Sequence, residues 1–130
     1  METKPEICLT VPGDRSYAVV IRTALGGIAL LKDLSVDALD DLRMAADEAC
    51  DCLLHQNRPA HELKLEAWSD DRGLTVRLSA DLGECDGTDC EDRVAISRTI
   101  LETLIPEPRF HTQPCGCIDG ITMTLPRAAM

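Results

Sequence analysis

The sequence predicts an α+β fold, a two-layer sandwich in which helices cover one face of a mixed, mostly antiparallel sheet. Three observations carry this. Stretches 62–68 and 73–79 alternate apolar with polar or charged residues, the pattern of a hairpin with one face to be covered. Three other stretches repeat apolar residues every three or four positions, as helices with one apolar face do. The length of 130 residues and a hydrophobic content of 45% suit one core, so residues 1–130 read as a single domain.

Ile7 to Val11 alternates and ends at Pro12-Gly13, which predicts a short first strand closed by a turn. Asp14 stands where an N-cap belongs. A helix from about Arg15 to Leu31 follows, with Tyr17, Val20, Ile21, Ala24, Leu25, Ile28 and Leu31 in helical period. Gly26-Gly27 inside it costs about 1 kcal/mol per glycine relative to alanine, and close packing against a neighbouring element explains the pair. Ser35 caps a second helix whose inner face is Leu39, Leu42, Ala46, Ala49 and Leu53, and which should stop near Asn57-Arg58-Pro59. The two alternating stretches join through Ser69 to Gly73. Asp81 to Asp92, rich in Gly, Asp and Cys, reads as an exposed loop. Val94, Ile96, Ile100, Leu101, Leu104 and Ile105 make a third helix, ended by Pro106 and Pro108. Arg109 to Gln113 and Ile118 to Leu125 form a last hairpin through Pro114-Cys115-Gly116-Cys117.

Composition excludes some partners. The formal charge of −10 repels phosphate backbones, and an aromatic content of 2% leaves no platform for stacking bases, so no nucleic-acid partner is expected. There is no signal-peptide apolar core after Met1 and no apolar run long enough to span a membrane, which predicts a cytoplasmic protein without membrane attachment. The seven cysteines are then expected as reduced thiols.

Glu48 precedes Cys52 by one helical turn, so the two side chains project the same way from the second helix. Read alone, Glu48 is an ordinary solvated carboxylate. Cys50 and Cys52, two apart on a helix, face different directions and cannot readily share a metal ion. Cys85, Cys90, Cys115 and Cys117 lie in two loops and could make a four-thiolate zinc site, but their spacing is not that of paired Cys-x-x-Cys knuckles. Loop thiols without a metal are the expectation.

The segment Met44-Ala45-Ala46-Asp47-Glu48-Ala49-Cys50-Asp51-Cys52-Leu53-Leu54-His55, the closing Gly120-Ile121-Thr122-Met123-Thr124-Leu125 and the order of elements resemble the anti-sigma-factor serine kinase family, bacterial regulators with the histidine-kinase-like (Bergerat) ATPase fold. The resemblance implies an ATP and magnesium site in which Glu48 stands at the general base. Four residues on, where the family has a magnesium-binding asparagine, this chain has Cys52. Magnesium wants hard oxygen ligands, for which a thiol is a poor replacement. Asp81-Leu82-Gly83-Glu84-Cys85 is similar to the family's Asp-x-Gly-x-Gly, which implies an adenine contact for Asp81 and close backbone approach at Gly83. Cys85 replaces its second glycine. The alternation of Leu74, Val76 and Leu78 points to Ala80 for that aspartate, so use of Asp81 requires a one-residue bulge. The family's glycine-rich, phosphate-holding helix start gives way to Cys90-Glu91-Asp92-Arg93-Val94-Ala95-Ile96.

These departures predict a degenerate nucleotide site and lost or much reduced catalysis, because phosphoryl transfer depends mainly on electrostatic stabilisation. The function this implies is binding of a sigma factor or an antagonist protein, with homodimerisation by family analogy. The alternatives are an active ATP-dependent protein serine/threonine kinase that keeps Glu48 and Asp81, and a thiol-based metal or redox module.

Overall fold

The computed structural model describes residues 4–56, 58–71, 73–85, 87 and 90–126. Residues 1–3 and 127–130 of the single-domain reading lie outside the described residues. So do Asn57 of the predicted helix stop, Arg72 of the predicted turn, and Asp86, Thr88 and Asp89 of the predicted loop. The elements in order are β1 (Ile7–Pro12), a 3-10 turn (Arg15–Tyr17), α1 (Ala18–Leu31), α2 (Val36–Leu54), β2 (Ala60–Asp70), β3 (Gly73–Leu82), α3 (Cys90–Leu104), β4 (Arg109–Thr112) and β5 (Ile118–Leu125).

Two local caps form as the sequence requires. The Asp14 carboxylate accepts from the Ser16 amide, and the Ser35 hydroxyl accepts from the Ala38 amide, each taking up a donor that has no partner inside its helix. Several boundaries differ from expectation: α1 begins at Ala18, after a 3-10 turn over the predicted start at Arg15, and β2 extends from Ala60 to Asp70, beyond the predicted 62–68. Asp81 and Leu82 belong to β3, and Cys90 to Asp92 already belong to α3, so the predicted loop from Asp81 to Asp92 is shorter at both ends. Glu91 and Asp92 in the first turn of α3 suit the positive end of its dipole, which extends the helix back past the apolar pattern that begins at Val94.

The strands form one five-stranded sheet in the order β1-β2-β3-β5-β4, antiparallel at every described pairing. β3 and β4 run parallel but are not neighbours, because the chain crosses over through α3 and β5 fills the slot between them. One face carries Leu63, Leu65, Ala67, Val76, Leu78, Ile121 and Met123, all buried. Against it pack Ile21, Leu25 and Ile28 of α1, Leu42, Ala46, Ala49 and Leu53 of α2, and Val94 and Leu101 of α3. The other face is polar, with Glu66 accepting from Arg77 across the β2–β3 pair at 3.2 Å. The result is the two-layer α+β sandwich, aliphatic in its core as the scarcity of aromatic residues demands.

The helix faces were less legible than the helices. Val20 is 40% exposed and Leu31 70% exposed, although both fit the apolar period of α1, and on α3 Ile96 is 73% exposed. A helix apolar nearly all round leaves the choice of covered side to its neighbours. Of the glycine pair, Gly26 faces the Arg43 guanidinium, where a Cβ would lie 3.3 Å from Nη2, while Gly27 has open space around it. Gly26 thus touches only the flexible end of a side chain on α2 and Gly27 touches nothing, so close packing does not require glycine at either position.

Candidate functional site

α2 carries the pair singled out by the sequence, and α3 lies over it. The Ser97 hydroxyl on α3 donates to Glu48 Oε2 at 2.7 Å. The carboxylate is therefore engaged by a helix neighbour. Cys52 is buried, and loss of solvent pushes its thiol up to about 11, partly countered by the nearby Ser97 hydroxyl. Cys50 is pushed up to about 12 by burial, with Asp47 and Asp51 adding repulsion. At neutral pH both thiols are protonated. A carboxylate bonded to a hydroxyl beside a buried neutral thiol does not fit magnesium, which demands an octahedral shell of hard oxygens.

The acidic residues beside the pair are also taken. Asp47 pairs with Arg22 of α1 at 3.1 Å, and Asp51 with Arg15 at 3.5 Å. His55 is exposed and caps the C-terminal end of α2, its amide donating to the Asp51 carbonyl.

The second motif lies elsewhere. β3 continues its alternation through Asp81, so Ala80 faces the helices and Asp81 is exposed on the opposite face of the sheet from Glu48. The bulge that Asp81 would need within β3 occurs instead in β2, between Ala60 and Glu62, opposite Leu82 and Asp81. An irregularity in the partner strand leaves the facing of β3 unchanged. Gly83 does need to be glycine, for a reason of packing. A Cβ there would sit 2.7 Å from Pro59 Cγ and 3.2 Å from His61 Nε2. Its amide donates to the Pro59 carbonyl at 2.7 Å, and the Arg58 guanidinium donates to its carbonyl. The fold thus unites Glu48 and Cys52, and separates them from Asp81. Ser97 was not singled out in the sequence; only the packing of α3 on α2 brings it to Glu48.

A groove of about 490 Å³ on the polar sheet face is lined by Lys64, Glu66, Arg77, His111 and Asp119 among others. Asp119 accepts from Gln113 and pairs with His111 at its edge. Neither Glu48 nor Cys52 reaches it.

The loop cysteines do come together. The Sγ atoms of Cys85, Cys90, Cys115 and Cys117 all lie within 4.8 Å of one another. The Cys117 amide donates to Cys115 Sγ, and this bond, with further sulfur neighbours, draws the exposed Cys115 thiol down to about 7.

No family model matches the chain. It is 35% identical over 126 residues, 93% of its length and 73% of the relative's, to the anti-sigma-F factor RsbW of Mycobacterium tuberculosis strain CDC 1551 / Oshkosh. The same match holds for the anti-sigma-F factor RsbW of strain ATCC 25618 / H37Rv. A match of that extent, on the helix-covered antiparallel sheet described above, places the chain in the anti-sigma-factor kinase family of RsbW.

Proposed function

We propose that this protein is an anti-sigma regulator that binds a sigma factor or an anti-sigma antagonist protein and whose nucleotide site is degenerate. The observation that carries the reading is the match across 93% of the chain to proteins named anti-sigma-F factor. Three features of the site support the loss of catalysis. Glu48 is held by Ser97, Cys52 is a buried protonated thiol, and Asp81 faces away from both. Without a metal and phosphate donors, a kinase lacks most of the charge stabilisation its transition state needs.

On this reading the protein works in the cytoplasm as a homodimer and without nucleic acid. Its charge of −10 supports the last point, and no helix among the described residues is long and apolar enough to cross a membrane. Calorimetric titration with Mg-ATP, paired with co-purification against the sigma factors and antagonists of the source organism, tests the whole. Stable capture of one such partner with no heat from Mg-ATP is expected. Tight magnesium-dependent nucleotide binding, or transfer of phosphate to a captured antagonist, overturns the degenerate site. Failure to bind any of those partners overturns the regulatory role.

A further inference from the structure

We propose that Cys85, Cys90, Cys115 and Cys117 bind one zinc ion as a tetrathiolate structural site, joining the exit of β3, the start of α3 and the β4–β5 turn. The four sulfurs come from three segments, and Cys85 and Cys117 are 32 positions apart. Local chain geometry does not gather them; the tertiary fold does. Their separations bracket the value for a single ion. With Zn–S bonds of about 2.3 Å, tetrahedral geometry puts ligand sulfurs about 3.8 Å apart. Here Cys85 Sγ lies 3.2 Å from Cys90 Sγ and 3.7 Å from Cys117 Sγ, and no pair exceeds 4.8 Å. Iron–sulfur clusters interpose several atoms between their thiolates and require a wider cage. A disulfide requires sulfurs about 2.05 Å apart and joins only two of the four.

The surroundings are those of bound thiolates. The Gly87 amide donates to Cys85 Sγ at 3.2 Å and the Cys117 amide to Cys115 Sγ at 3.5 Å, each two residues past the sulfur it serves. Such donors spread the negative charge of a coordinated sulfur. Cys90 opens α3, a helix of 15 residues whose positive end offsets the net charge of −2 on a zinc tetrathiolate. The Cys115-Gly116-Cys117 turn closes through bonds from the Gln113 amide to the Cys117 carbonyl and from the Gly116 amide to the Gln113 carbonyl. Gly116, at φ 102°, packs so tightly on α3 that a Cβ would lie 2.7 Å from Glu91 Cγ. Cys90 and Cys117 are buried, Cys85 half-buried and Cys115 exposed, so the site is closed on the protein side and open to metal entry at one corner. Binding replaces up to four S–H bonds by Zn–S bonds and releases the protons to solvent, with no change of oxidation state.

The full chain, purified under reducing conditions without chelator, is to be assayed for metal by elemental analysis and native mass spectrometry, then loaded with cobalt. One zinc per chain is expected, and the cobalt form should show tetrahedral ligand-field bands with thiolate charge transfer. Cys115→Ser, at the exposed corner, should weaken that charge transfer by one thiolate in four, whereas Cys8→Ser leaves it unchanged. Stripping zinc should lower Tm by several degrees. A folded, reduced chain that carries no zinc and gives no tetrahedral cobalt spectrum overturns the proposal. So does iron with acid-labile sulfide, or isolation of the chain two hydrogens lighter for each disulfide among these cysteines. Should Cys115→Ser not fold, metal content and the cobalt spectrum of the unsubstituted chain decide.

Discussion

Ser97 and Glu48 share one hydrogen bond of 2.7 Å, and its loss is measurable as stability. Ser97→Ala leaves a half-buried carboxylate without its hydroxyl donor, and a cost of about 1–2 kcal/mol in urea unfolding is expected. An unchanged midpoint would show the bond to be replaceable by water. The α2 thiols give a second check. Burial raises Cys50 to about 12 and Cys52 to about 11, so neither should react with iodoacetamide at pH 8 in the folded chain, while exposed Cys8 does. Labelling of Cys52 at the rate of Cys8 would mean that α3 opens readily from α2. Glu6 contributes to the acid limb. The Lys32 ammonium at 2.7 Å, and then the Ser69 amide and hydroxyl, hold it at about 2 against an ordinary 4.5. A carboxylate lowered in the folded state stabilises above its unfolded value, and that contribution fades as pH falls from about 4.5 towards 2. Glu6→Gln should therefore flatten the pH dependence of stability in that window and leave its alkaline side alone.

Among the elements, the glycines separate tolerance from constraint. Gly27 sits inside α1 with open space where a Cβ would go, so Gly27→Ala should stabilise by about 0.5–1 kcal/mol through helix propensity alone. Gly83→Ala should destabilise, because its Cβ would meet the stiff Pro59 ring at 2.7 Å. Opposite signs for the two in thermal denaturation are the expected result. The same elements show which sequence signals were sufficient. Asp14 and Ser35 could be read as caps because their partners lie two and three residues away. β3 could be read because its period of two is complete within Leu74, Val76 and Leu78. The covered side of α1 could not, since Val20 and Leu31 are as apolar as Ile21 and Leu25 and only neighbouring elements choose among them. Nor could the bulge in β2, which is a misfit between two strands and a property of neither alone.

At the scale of the whole molecule, a formal charge of −10 on 130 residues repels itself, and the Arg22–Asp47 ion pair is only half-buried. Tm should rise from low to physiological ionic strength as the repulsion is screened. A fall would mean that specific pairs such as Lys32–Glu6 outweigh the net charge. By itself the sequence determined the element order, the one-sided sheet, the aliphatic core and the family resemblance carried by α2, because caps, periodicity and composition act over a few residues. Tertiary structure alone decided what stands around Glu48, which face Asp81 takes, and that Cys85, Cys90, Cys115 and Cys117 converge. Those outcomes depend on where α3 lands and where β5 inserts. They come from packing between segments tens of residues apart, which no local pattern of side chains encodes.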